Sequence, residues 1–465
     1  NTLETQLSTQ KKINKPSEDP VIAIRALRLR SSLEQVTQYL NKNIPDADSW
    51  LKTTEGAVDE AVSVITDLYA YCEQGATDSY SPSERSTLAE SLNKLRDAYY
   101  AEGEYAGRYL FSGYMTDTPL TYQSDETAAK ADFTITQEFT RENIELKTVY
   151  TNAYSNDDIL NLNVKTDAAT GNVITPNVAD VHRVRIGYTK VSDAGTFEIK
   201  LNDGTTIAAA AVNDSNYQPG DDEAAFNAAT GEILLGENVY KQLYASDGFS
   251  FTYRKDNFAK GDLNPVMYYD CVDNNPDNAG VVYTKKTEDI EYNINFSQKL
   301  KVNTEANEVF NMYLGRDIDD LITSVNNVID IEAQLEKVEG MLKQDIYSDK
   351  DSQSKLNSIK EGLTKQNELA KEEMKKRFEY CVGTMQGYQE QASLAKADAG
   401  NRMTRLNLTK SRLTEQKTNF TNLKSENEDI DLEEVVVGYY AAQLVYNASL
   451  TAASKVIQQT LLDFL

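Results

Sequence analysis

The sequence contains one histidine, His182, among 465 residues. A lone histidine excludes paired-histidine metal sites and the HExxH metalloprotease pattern. His182 lies between Val181 and Arg183 in a strand-like run with no GxSxG serine nearby, so a structural role is expected. Three cysteines (Cys72, Cys271, Cys381) are too few for a disulfide framework. Their spacing fits neither zinc nor iron–sulfur ligation. Cys72 falls in phase with a helical apolar stripe, which predicts a buried thiol. The 22 glycines are scattered and form neither a dinucleotide-binding fingerprint nor a P-loop. Basic residues are few, 47 Lys and Arg against 73 Asp and Glu, for a net charge of -26. So acidic a surface repels nucleic acid and anionic lipid, so neither is expected as a partner. No run of about 18 or more apolar residues occurs, so no membrane span is expected. No cleavable secretory signal is visible. These absences together predict no cofactor, no metal site, no catalytic residue and no enzyme.

Acidic clusters come nearest to a site. Asp317, Asp319 and Asp320 lie together, as do Asp221, Asp222 and Glu223. Neither meets the calcium-loop pattern, and both are expected to be solvated charge. The run Asp270–Asp277 is expected to be a turn-rich loop. The 28 tyrosines are dispersed, which suits amphipathic packing at domain and subunit surfaces. The single tryptophan, Trp50, is expected to anchor a core.

What the sequence does have is apolar helical spacing at both ends. Leu3, Leu7 and Ile13 open the chain, and Val435 to Leu465 closes it with an apolar helix ending in Leu461, Leu462, Phe464 and Leu465. Such stripes bury themselves against each other or against further copies of the chain. Leu29, Leu33, Val36 and Leu40 continue the helical pattern. Pro45 then interrupts it, with Asp46 or Asp48 as the next cap. From Leu51 through Thr54, Val58, Ala61, Ile65, Leu68 and Cys72 the spacing is heptad-like. Gly75 ends that helix, and another starts at Ser83 with Leu88, Leu92, Leu95 and Tyr99.

From about Tyr122 to Thr304 the period drops to two. Phe133 and Ile135, Phe249 to Tyr253, and Ile290 to Phe296 alternate, and Asn202-Asp203-Gly204 marks a hairpin. Helical spacing returns from Leu321 to Leu342. After a break at Asp345–Ser352 it resumes through Leu356, Leu363, Met374, Cys381, Met385 and Tyr388 to Leu406, Leu413 and Phe420. The fold class expected is a multidomain α+β chain. Its N- and C-terminal arms lie side by side as a long antiparallel helical rod (a coiled coil), with β-rich structure inserted between them.

Several segments resemble bacterial flagellins and their relatives. INKPSEDP (Ile13–Pro20, with Asn14, Pro16, Asp19 and Pro20) precedes Ala26–Arg30 and then DADSWLKTTEGAVDEAV (Asp46–Val62). NRMTRLNLTKSRL (Asn401–Leu413) and EDIDLEEVV (Glu428–Val436) continue the resemblance at the other end. GRYLFSG (Gly107–Gly113, with Leu110, Phe111 and Ser112) and the tail QTLLDFL (Gln459–Leu465) resemble the members found at hook–filament junctions. Val64, Ile65 and Thr66 stand where many filament flagellins carry an arginine-bearing motif read by an innate immune receptor.

The resemblance implies a division into 1–30 (coiled-coil segment), 31–121 (N-terminal rod arm), 122–304 (β-rich outer domain), 305–426 (C-terminal rod arm) and 427–465 (coiled-coil helix). It also implies that residues precede Asn1, and the stretch Met341–Gln391 looks longer than the family's pattern. The implied function is structural: self-assembly into a ring at the junction of hook and filament. Leu3, Leu7, Ile13, Val437, Leu444, Leu450, Leu461, Leu462 and Phe464 would form the assembly interface. The implied partners are further copies of the chain, hook-associated protein 1 on the hook side, filament flagellin on the distal side and an export chaperone. The implied location is the extracellular flagellum, reached through the flagellar export apparatus without a cleaved signal. Two other readings are a filament flagellin and a flagellin-like chain whose insertion binds a ligand.

Overall fold

The computed structural model describes residues 2–76, 80–100, 104–276, 278, 280–285 and 287–462, with backbone alone for 456–462. In chain order, helices α1 (Thr2–Thr9), α2 (Pro20–Gln38), α3 (Ile44–Gly75) and α4 (Pro82–Tyr99) precede the pair β1 (Glu104–Tyr105) and β2 (Arg108–Tyr109). Then follow α5 (Asp125–Ala129), β3 (Phe133–Phe139), β4 (Ile144–Thr151), α6 (Asn156–Leu160) and β5 (Asn177–Arg185). After these come β6 (Phe197–Leu201), β7 (Thr206–Ala211), β8 (Ala224–Asn227), β9 (Glu232–Leu235), α7 (Glu237–Ala245) and β10 (Phe249–Lys255). Strands β11 (Asp270–Asp273), β12 (Val282–Tyr283), β13 (Glu291–Asn295) and β14 (Gln298–Lys301) complete the sheet residues. Helices α8 (Ala306–Val309), α9 (Tyr313–Leu342), α10 (Lys350–Glu428) and α11 (Leu432–Leu462) end the chain.

These elements form two compact units. The first comprises Asn1–Leu51, Glu291–Val302 and Asn401–Leu465. The second comprises Lys52–Ile290 and Asn303–Gly400.

Local chemistry explains the helix starts. The Asp19 side chain accepts hydrogen bonds from the backbone N–H groups of Val21 (2.9 Å) and Ile22 (3.1 Å). Pro20 takes the first helical position, where its missing N–H costs nothing. Ser81 and Glu84 form a capping box around Pro82, so α4 begins slightly before the expected Ser83. The expected break at Pro45 is corrected. The chain stays helical there, and neither Asp46 nor Asp48 caps a new start. Proline lacks an N–H, and the turn before it, Tyr39–Asn43, widens to a π-turn in which the Ile44 N–H bonds Tyr39 O. Downstream the heptad holds: Trp50, Leu51, Thr54, Val58, Ala61, Ile65, Leu68 and Cys72 are all buried.

In the second unit a ten-stranded sheet has the order β12-β11-β3-β10-β6-β7-β8-β9-β5-β4. Every neighbouring pair is antiparallel except β7 and β8. The hairpin β6–β7 turns at Gly204 with φ +90. Phe133, Ile135 and Phe139 on β3 and Phe249, Phe251 and Tyr253 on β10 alternate inward, as the period-two reading requires. Phe226 packs between Phe197 and Phe251 at ring distances of 4.6 and 4.9 Å. Asp270–Asp273 is a strand rather than the expected loop. Cys271 pairs with Ile135 and is buried, and turn chemistry begins only at Asn274.

In the first unit α1 packs along α11, with Leu3 over Gly438. The hairpin β13–β14 places Phe296 edge-on to Tyr39 at 5.7 Å. The Asn43 amide donates to Asn293 O at 2.7 Å.

Candidate assembly surface and a buried charge network

The chain between α1 and α2 straps onto the turn between α10 and α11. Lys12 N–H donates to Glu428 O at 2.7 Å, and Ile430 N–H donates to Gln10 O at 3.2 Å. The Arg30 guanidinium grips both carboxylate oxygens of Glu428 at 2.7 Å, and Lys11 pairs with Asp429. Hydrogen bonding from Arg30 holds the buried Glu428 carboxyl below the usual carboxylate range. Bidentate Arg–carboxylate pairs add orientation to attraction, so the strap fixes where α1 begins its run along α11.

Beyond the strap much apolar surface stays open. On α11, Val437 is 69%, Leu444 74% and Leu450 53% exposed. Val21, Ile24 and Leu27 on α2 are exposed as well. Leu3, Leu7 and Ile13 are half-buried. The side chains of Leu461 and Leu462, and all of Phe464, lie outside the described residues. Apolar side chains ranged along an uncovered helix can bind another apolar helix.

The two motif segments do different things. In the first, Asp19 and Pro20 set the start of α2, and the Asn14 N–H donates to the Glu18 carboxylate at 2.7 Å. Pro16 is exposed. In the second unit, Ala106 and Gly107 both have positive φ and turn β1 into β2. Leu110, Phe111 and Ser112 then plunge into the core, with Phe111 edge-on to Phe310 at 4.9 Å. Gly113 leaves the core with φ +61. The motif GRYLFSG thus builds a turn and a core plug.

Asp317 and Asp320 of the acidic cluster on α9 are drawn into a charge network, contrary to expectation, while Asp319 stays 43% exposed beside Arg96. Arg183 on β5 pairs with Glu232 on β9 at 2.5 Å, Asp320 on α9 at 2.6 Å and Glu145 on β4 at 3.2 Å. Arg185 pairs with Glu145 and Asp317, each at 2.7 Å. The Tyr388 hydroxyl of α10 donates to Asp317 at 2.6 Å, and Lys147 of β4 holds Glu232 at 2.6 Å. Arg316 instead donates to the carbonyls of Ile186, Tyr188 and Thr230. Burial alone would raise the Asp320 carboxyl, but the guanidiniums of Arg183, Arg185 and Arg316 outweigh it and hold it far below its usual range. Charges so paired tie the sheet to α9 and α10. The sequence signal was Glu145/Lys147 and Arg183/Arg185 at strand period, facing inward rather than outward.

His182 stacks on Tyr240 at 3.5 Å, 3.8 Å from the Glu237 carboxylate. Burial lowers its imidazole below the usual histidine range. Trp50 is buried in the core, as expected. Among the described residues no His, Cys, Asp and Glu side chains gather as metal ligands. Among them, too, no helix is long and apolar enough to cross a membrane.

The sequence relatives match about a quarter of the chain. Over 119 residues it is 29% identical to flagellar hook-associated protein 3 of Escherichia coli, covering 24% of this chain and 36% of that protein. Over 121 residues it is 29% identical to flagellar hook-associated protein 3 of Salmonella typhimurium, covering 25% and 37%. The matched stretch therefore spans little more than a third of each relative. A solved FlgL from Xanthomonas campestris aligns over 85% of this chain and 99% of its own, at 12% identity and a TM-score of 0.31. So loose a superposition adds nothing to the fold described above. Residues 1–116 match the model of the bacterial flagellin N-terminal helical region.

Proposed function

We propose that this chain is a non-enzymatic structural subunit of the bacterial flagellum, joining hook to filament. The observation that carries the reading is the match of residues 1–116 to the flagellin N-terminal helical region, together with the similarity to hook-associated protein 3. The open apolar face of α11 supports it, because a subunit that assembles through its terminal helices must leave such a face uncovered. Assembly buries Val437, Leu444 and Leu450, together with Leu461, Leu462 and Phe464, against neighbouring copies. A head-to-tail contact of this kind need not close on two subunits. The partners are further copies in a ring, hook-associated protein 1 on the hook side, filament flagellin on the distal side and an export chaperone before assembly. Nucleic acid and a membrane span play no part. The location is the extracellular flagellum, reached by the flagellar export apparatus.

Deleting the gene tests this. The expected outcome is hooks without filaments and flagellin shed into the medium, and normal filaments refute it. The flagellin match by itself also suits a filament flagellin, and copy number decides between the two. About one ring per flagellum supports the junction, whereas abundance equal to the filament's major subunit supports the alternative.

A further inference from the structure

Helices α3 and α10 run antiparallel within the second unit, and their contacts advance in step. Lys396 pairs with Asp59 at 2.6 Å. The Gln389 amide donates to the Thr66 hydroxyl at 2.9 Å, and the Gln386 amide donates to the Tyr69 hydroxyl at 3.3 Å. One turn further, Cys381 meets Cys72. Both are buried, and their thiols hydrogen-bond. A turn beyond that, the Phe378 ring of α10 lies against Gly75 of α3 and fills the space a side chain there would take: a Cβ on Gly75 would fall 2.0 Å from it. The two cysteines therefore face each other within the buried interface, between the Gln386–Tyr69 and Phe378–Gly75 contacts. A disulfide between two helices requires cysteines set opposite each other across their interface, and this register supplies that.

The geometry points to Cys72 and Cys381 as a cross-linking site, where a disulfide ties α3 to α10 once the chain meets an oxidising medium. The oxidant is a small-molecule disulfide. One cysteine thiolate attacks it, forming a mixed disulfide and expelling a small thiolate, which takes up the proton the cysteine lost. The second cysteine thiolate attacks the cysteine sulfur of the mixed disulfide and expels the other small thiolate, protonated in the same way. Two cysteine thiols lose two electrons, and the small disulfide is reduced to two thiols. The hydrogen bond with Cys72 and burial raise the Cys381 thiol, so exchange in the folded chain is slow and the bond forms during folding. The chain between positions 72 and 381 is long, so the constraint on the unfolded state is large. Cys271 is buried on β11 and serves as the internal control.

The test uses the full chain, refolded from urea in a buffer of oxidised and reduced glutathione, alkylated, and digested with trypsin without reduction. The three cysteines fall in separate tryptic peptides, 53–85, 261–285 and 378–396. The expected product is 53–85 joined to 378–396, with 261–285 alkylated. Unfolding in urea should shift to a higher midpoint in the oxidised chain. That shift should vanish in Cys72→Ser and Cys381→Ser and persist in Cys271→Ser. Recovery of 53–85 and 378–396 as separate alkylated or glutathione-bearing peptides overturns the assignment. So does cross-linking of Cys271 at equal yield. The peptide map of the unsubstituted chain decides the matter even where a serine variant fails to fold.

Discussion

Removing Asp320 should destabilise the second unit by breaking its charge network from one side. In Asp320→Ala, Arg183 loses its 2.6 Å partner while Glu232 and Glu145 remain, and Arg185 loses its weaker contact at 3.5 Å. Breaking a buried ion pair by removing one member costs about 3–5 kcal/mol, because the remaining charge stays buried. The Asp320 side chain keeps 24% exposure, so water softens the loss and about 3 kcal/mol is expected. The pH dependence follows from the direction of the shift. The folded carboxyl titrates below its unfolded counterpart, so its contribution is fully present above the unfolded value of about 4 and fades as pH falls below it. Urea unfolding, followed by the near-ultraviolet dichroism of the buried tyrosines, should show the gap between the native chain and Asp320→Asn. That gap should be widest at neutral pH and close in acid. A loss for Asp320→Ala below about 1 kcal/mol, or a gap that widens in acid, would refute the argument.

Leu444→Asp should block assembly while leaving helix content unchanged, because Leu444 touches little within its own chain. Sedimentation together with far-ultraviolet dichroism checks this, and polymers of normal extent would contradict it. Phe111→Ala should cost about 3–5 kcal/mol, since it empties a buried ring site against Phe310. An unchanged urea midpoint would show that GRYLFSG is not a core plug. Asp19→Ala should cost about 1 kcal/mol and speed amide exchange at Val21 and Ile22, which lose their acceptor. Unaltered exchange at both would remove Asp19 as the cap.

The helices and the core were legible in the sequence wherever one rule acted alone. Heptad spacing placed Val58, Ile65 and Cys72 inside, and Asn202-Asp203-Gly204 marked its hairpin, because both signals are local. The misreadings arose where two rules competed. Pro45 breaks a four-residue hydrogen-bond pattern, but a five-residue turn accommodates it. Asp317 and Asp320 resembled a solvated helix start because their partners, Arg183 and Arg185, lie more than a hundred positions earlier. Apolar residues declare which face turns inward; a salt bridge does so only when both partners are known. The apolar spacing of α11 was legible in the sequence, whereas the strap that anchors α1 was not. Backbone hydrogen bonds between Lys12 and Glu428 leave no mark on composition.

That strap sets a constraint in time. Lys11 and Asp429 are separated by 418 positions. The first dozen residues cannot dock until nearly the whole chain is available to receive them, whatever has already folded between. Until residues 428–430 are available, α1 is left without this closure. Releasing the closure disturbs no buried strand, so it can open while the core of each unit stays intact.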